Sequence, residues 1–121
     1  GNVNLFHSRV EEGKVYLGEL PIELPAESVP DAKSALVFVR PHSLEIEQHR
    51  NGGDNFHAKV THINAAGPLV KVDLATDWGA AVHVEISHGR YSSLGLKRGD
   101  EVFLRPRERK VFVEEKAETM L

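Results

Sequence analysis

The chain has 121 residues, 40% hydrophobic and 27% charged, the size and balance of one globular domain able to bury a core. A formal charge of -3 argues against a nucleic-acid or anionic-membrane binder, and the absence of cysteine excludes disulfide scaffolds and thiolate metal sites. No apolar run reaches the roughly 18 residues that a spanning helix needs, and no signal-peptide pattern opens the chain.

The start at Gly1 runs at once into Val3, Leu5 and Phe6, which reads as a piece cut from something longer. A tag remnant or a processed N-terminus is the plainer alternative. Leu5 to Val10 predicts an opening strand, and Glu12-Gly13 a turn into a second strand over Lys14 to Leu20. Pro21, Pro25 and Pro30 then mark an edge strand and a loop, because proline cannot donate to a ladder. Leu36 to Val39 is a continuous apolar run, as expected of a strand covered on both faces.

From there the period is two. Leu44 and Ile46 alternate with Glu45 and Glu47; Phe56, Ala58 and Val60 alternate with His57, Lys59 and Thr61. Val70, Val72 and Leu74 alternate with Lys71 and Asp73, and Val82, Val84 and Ile86 with His83 and Glu85. Each run turns one apolar face to a core and one polar face to water. Asn51 to Asp54 and Asn64 to Pro68 are turn signals between them, with Gly67 expected at positive φ. One helix is predicted, capped by Ser87, with Tyr91 and Leu94 on one face and Gly95 as its stop. Val102 to Leu104 and Val111 to Val113 are two further strands, and Lys116 to Glu118 a frayed end.

Short strands near ten-residue spacing with one short helix predict an all-β barrel or sandwich. The division expected is 1–35 as opening strands and a Pro-rich connection packing on the barrel, 36–115 as the barrel, and 116–121 as the frayed C-terminus, all one domain.

Chemistry is sparse. Gly13-Lys14 lacks the Gly-x-x-x-x-Gly-Lys-Ser/Thr frame whose amides and lysine wrap phosphates, so the chain is expected to bind no nucleotide and to catalyse nothing. His57 and His62, like His83 and His88, are five apart, a spacing that puts no two ligands on one strand or helix face. His83 and Glu85 do share a face, but solvent-facing histidines are the plainer reading, and no metal is expected. Ser92 and Ser93 sit between Tyr91 and Leu94 without a nucleophile motif, and Asp73 and Asp77 read as solvated surface acids. The strongest charge cluster is Arg105-Pro106-Arg107-Glu108-Arg109-Lys110, in which Arg105, Arg107 and Arg109 would point the same way if extended. Arginine forks suit oxyanions and phosphates. A nucleic-acid face would also need interleaved aromatics, which the strand patterns lack. The plainer reading is a solvated hairpin with ion pairs each worth at most about 1 kcal/mol. Arg40-Pro41-His42 ends the apolar run and would place Arg40 at a barrel mouth.

Several of these segments carry a resemblance. "VRPHSLEI" (Val39 to Ile46) and "LGLKRGDEVFLRPRERKVFV" (Leu94 to Val113) resemble motifs of the transport-associated oligosaccharide/oligonucleotide-binding (TOBE) domain, which follows the nucleotide-binding domain in many ABC importer ATPases. "HINAAGPLVKVDL" (His62 to Leu74), "VEISHGRYSSL" (Val84 to Leu94) and "GNVNLFHSRV" (Gly1 to Val10) resemble more closely the sulfate/thiosulfate importer ATPases. The resemblance covers nearly the whole chain, with five segments in order.

It implies an all-β, OB-fold-like small barrel (TOBE/MOP-like) supplemented by strands from the N-terminal segment. It implies a non-catalytic regulatory and dimerisation domain of a sulfate or thiosulfate importer subunit, cytoplasmic and peripheral to the inner membrane. The expected partners are its own ATPase domain, a second ATPase copy in a homodimer and, indirectly, the membrane subunits. ATP and Mg would belong to the missing ATPase part. A sulfate-class oxyanion is an expected ligand, with Arg40, His42, Arg105 and Arg107 as candidate contacts. His42 departs from the glutamate common in sugar-importer relatives, which puts a shared partner contact in doubt. The competing readings are a free-standing OB-fold nucleic-acid-binding module and a purely structural spacer.

Overall fold

A computed structural model of the chain describes residues 2–24 and 32–114. The expectations for Pro25, Pro30 and Lys116 to Glu118 lie outside the described residues.

The strands begin with a hairpin. β1 (Asn4–Glu11) and β2 (Lys14–Leu17) are joined by Glu12 and Gly13, both at positive φ (49° and 76°). Two left-handed residues give a turn whose twist matches the strands it connects. The single strand expected over Lys14 to Leu20 is instead two. Gly18 takes φ 62°, which a glycine adopts freely, and the chain doubles back into β3 (Leu20–Glu23), with Leu17 opposite Leu20. β3 carries Pro21 at the sheet edge, where a missing donor costs no ladder bond.

β4 (Ser34–Val39) pairs with β1 on one side and with β10 (Lys110–Glu114) on the other. The first sheet therefore runs β10-β4-β1-β2-β3. The run Leu36 to Val39 is not covered on both faces. Ala35, Val37 and Val39 are buried, while Leu36 and Phe38 are half-buried on the outer face.

The second sheet runs β5-β9-β6-β7-β8, built from β5 (Leu44–Glu47), β6 (Phe56–Asn64), β7 (Val70–Thr76), β8 (Ala81–Ile86) and β9 (Glu101–Pro106). Its period-two residues face inward as expected: Leu44 and Ile46, Phe56, Ala58 and Val60, Val70, Val72 and Leu74, Val82, Val84 and Ile86, Val102 and Leu104 are all buried. A bulge between Val60 and His62 shifts the β6–β7 register by one residue. Gly67, in the β6–β7 turn, is not at positive φ, so the turn does not use the glycine as expected.

α1 (His88–Leu94) starts and stops as predicted. The Ser87 hydroxyl accepts from the Arg90 amide at 3.0 Å, and Gly95, at φ 60°, donates its amide to the Tyr91 carbonyl. Leu94 is buried, whereas Ser92 and Ser93 are exposed.

The two curled sheets are half-barrels that close on one hydrophobic cluster drawn from both, which is the all-β, OB-fold-like architecture expected. β4 ladders with β1, and β10 with β4, so a boundary at 35/36 runs through β4 and parts strands of one sheet. Phe6 of β1 crosses to the other sheet, meeting Phe56 edge-on at 6.1 Å and Trp78 at 6.5 Å.

Candidate functional site

Pro41 opens a single 3-10 turn over Pro41–Ser43 immediately after β4. The proline fixes φ and has no amide to lose, so β4 ends there and the chain bends into β5. Pro41 and Ser43 are buried, so the alternate residues Arg40 and His42 point to solvent. The Ser43 amide donates to the Arg40 carbonyl at 2.9 Å, and the Arg107 amide donates to the Ser43 carbonyl at 2.8 Å. The turn is thereby tied to the loop that follows β9.

That loop breaks the arginine alternation. β9 ends at Pro106, and 107–109 are outside any strand, so Arg105, Arg107 and Arg109 do not share one strand face. Arg105 stands opposite Glu45 in the β5–β9 ladder and reaches diagonally to Glu47, its Nε lying 3.1 and 3.2 Å from the two carboxylate oxygens. Its Nη1 lies 3.6 Å from Asp54. Arg107 sits 3.2 Å from Glu45. Burial pushes the Glu47 carboxyl up. Hydrogen bonds from Asn55 and Arg105, with the charges of Arg105 and Arg90, outweigh it and hold the carboxyl below the ordinary glutamate value.

The four candidate contacts are thus divided. Arg105 and Arg107 are held by carboxylates on the outer side of the β5–β9 ladder. Arg40 lines a separate cleft of about 510 Å³ with Arg109 and Lys110, over Val3, Phe38, Ser43, Glu108 and Phe112. His42 is exposed beside it in the chain and does not line it. Among the described residues, Arg40, Arg109 and Lys110 have no ion pair.

The cleft follows from register. Phe38 pairs with Leu5 on one side and with Lys110 on the other, so the two-residue period places Val3 and Leu5, Phe38 and Arg40, and Lys110 and Phe112 on the outer face. Phe38 and Phe112 meet edge to face at 5.3 Å and 87°. Aromatic rings do therefore stand among cations here, although no single strand shows the pattern. Arg109 and Lys110 were visible in the basic run, but their neighbours were not. Only the β4–β10 pairing, between segments some seventy residues apart in the chain, joins them to Arg40.

His57 and His83 are occupied elsewhere. His57 contacts Asp77 through Nδ1 at 2.8 Å and Glu101 through Nε2 at 3.2 Å; His83 contacts Asp73 at 2.7 Å. Among the described residues no group of three or more histidine and carboxylate side chains is placed to hold a metal. No helix among them is long and apolar enough to cross a membrane.

Comparison with known proteins divides the chain between β5 and β6, so the first match takes in β5 of the second sheet. The family described as "CysA C-terminal regulatory domain" matches residues 4–46, and the "TOBE-like domain" family matches residues 50–107. A sulfate/thiosulfate import ATP-binding protein CysA of Nitrosomonas europaea is 39% identical over 115 residues, 93% of this chain and 32% of the relative. The protein of that name in Bacillus cereus is 38% identical over 116 residues, 95% of this chain and 32% of its own length. The one in Methylococcus capsulatus is 39% identical over 113 residues, covering 93% and 31%. The chain spans about a third of the length of these curated relatives. Among solved structures, the cytoplasmic molybdate-binding protein ModG with molybdate bound superposes with a TM-score of 0.72 at 18% identity, covering 92% of this chain and 96% of that one. At that identity the likeness speaks for the fold.

Proposed function

The chain belongs to the TOBE-type C-terminal regulatory domains of CysA-like ABC importer ATP-binding proteins, and from that premise we propose that it regulates and helps dimerise a subunit driving sulfate or thiosulfate import. The observation that carries this reading is the order of the two family matches. They fall in sequence on one chain and together run from β1 to the end of β9, while the relatives continue for about twice as long again. ATP, Mg and hydrolysis belong on this reading to the remaining part of such a protein. The domain would work on the cytoplasmic side, beside its own ATPase part and the second copy, and would reach the membrane subunits only indirectly.

The mechanism is coupling between sites. A ligand or partner that favours one arrangement of two such barrels biases closure of the ATPase parts, and ATP binding biases ligand affinity by the same free energy. A sulfate-class oxyanion is one such ligand. Arg40 suits it better than Arg105 or Arg107, because the latter two already face carboxylates. His42 flanks Arg40 in the chain without lining the cleft.

The test uses a full-length importer subunit carrying this domain, reconstituted with its membrane partners. ATP hydrolysis is measured with and without millimolar sulfate, for the intact protein and for one lacking residues 1–121. The expected outcome is a sulfate response present only in the intact protein. Equal responses in both would remove the regulatory reading. Titration calorimetry of the isolated chain with sulfate and molybdate tests the oxyanion contact separately, and no heat at millimolar anion would eliminate it.

A further inference from the structure

We propose that the cleft between β4 and the β9–β10 loop binds an aromatic or otherwise apolar-bodied organic anion, not a bare inorganic oxyanion. The inference rests on the regulatory reading only for its purpose; the binding itself is a property of this chain alone.

Charge is the first argument. On the described surface three arginines on or just beyond the strand ladders are neutralised: Arg9 by Glu11, Arg105 by Glu47 and Asp54, Arg107 by Glu45. Arg40, Arg109 and Lys110 have no such partner among the described residues, and Glu108 is the single carboxylate lining the same cleft. A local excess of cations in a chain of net charge -3 attracts an anion to this place rather than to the molecule at large.

The apolar part is the second argument. Val3 is 43% exposed and Phe112 54% exposed, and Phe38 stands edge-on to Phe112 beside them. A sulfate held by the cations would leave these groups in water. A ring or alkyl body attached to the anionic head would cover them, and removing that apolar area from water stabilises the complex. A volume of about 510 Å³ lies within the usual range of small-molecule pockets. The cleft also combines what such sites combine, an apolar surface and a few convergent charges that orient the ligand. A strand of nucleic acid presents phosphate and ring together as well. It would need a longer basic track than three cations, since affinity there grows with the number of phosphates neutralised.

The experiment is a titration of the isotope-labelled chain followed by amide chemical shifts, with four probes: 1-naphthalenesulfonate, 1-naphthalenemethanol, inorganic sulfate and a single-stranded oligothymidylate. The expected result is saturable binding of the sulfonate, with shifts centred on Val3, Arg40, Lys110 and Phe112. Its affinity should exceed that of the neutral alcohol and of sulfate by about tenfold or more each, the worth of one good contact. The double variant Arg40→Gln, Lys110→Gln should lose that advantage while keeping a dispersed native spectrum, and Lys71→Gln should keep it. Equal binding of alcohol and sulfonate, shifts centred on Trp78, or no binding of the sulfonate would overturn the proposal. Tighter, steeply salt-dependent binding of the oligothymidylate would overturn it in favour of a nucleic-acid face. A negative result here leaves the ATPase experiment unaffected, so the two readings fail separately.

Discussion

Asn4 does for the two sheets what no backbone ladder does. Its side-chain amide donates to the His83 carbonyl at 2.7 Å and accepts from the His83 amide at 2.8 Å, so β1 of one sheet is clamped to the edge strand β8 of the other. The residue is 3% exposed, so its loss strands backbone groups that water reaches poorly. Asn4→Ala is expected to lower stability by about 1–3 kcal/mol, more than a typical exposed asparagine, as read from urea unfolding. Glu47 illustrates a different residue-scale effect. Its folded-state pKa is depressed, so it contributes stability above its unfolded value of about 4.3, and that contribution is lost as pH falls through the lower folded value. Unfolding midpoints of the parent chain and Glu47→Gln should therefore differ at neutral pH and converge as the pH falls through the lowered folded-state value. A difference that persists unchanged in acid would mean that the charge is not what matters.

At the scale of elements, turns and edges carry the argument. Gly18 turns β2 into β3 at φ 62°, and a Cβ placed there would overlap the Trp78 ring. That ring meets Phe56 edge-on at 5.4 Å and reaches Phe6, so the β2–β3 turn and the β7–β8 turn touch across the seam between the sheets. Gly18→Ala should destabilise by about 1–3 kcal/mol through strain and displaced packing, and tryptophan fluorescence should shift with it. If the melting temperature and emission were both unchanged, the contact between these turns would be wrong. The helix α1 is a simpler case. Its cap, its stop and its two turns were all readable locally, because capping depends on residues three or four apart.

Over the whole molecule, one core serves both sheets. Leu104 of β9 is fully buried, opposite Ile46 on β5 and Phe56 on β6. Leu104→Ala should remove about 2–5 kcal/mol, visible as loss of the native fold on mild heating. Because the cluster is shared, both sheets should unfold together; two separate transitions would show that the half-barrels are independent units.

The alternation of apolar and polar side chains, the turn at Glu12-Gly13 and the helix signals determined the strands, their inward faces and the all-β class, because each depends on neighbours a few residues away. The five-segment resemblance likewise pointed to the family from the chain alone. Local pattern failed where glycine geometry decided, as at Gly18, and where coverage decided, as at Leu36 and Phe38. Only the tertiary structure settled which strands share a sheet, that Arg105 and Arg107 face carboxylates, and that Arg40 and Lys110 line one cleft beside Phe38. The reason is physical: a two-residue period says which way a side chain points, but the register between distant strands is set by how their buried faces pack together.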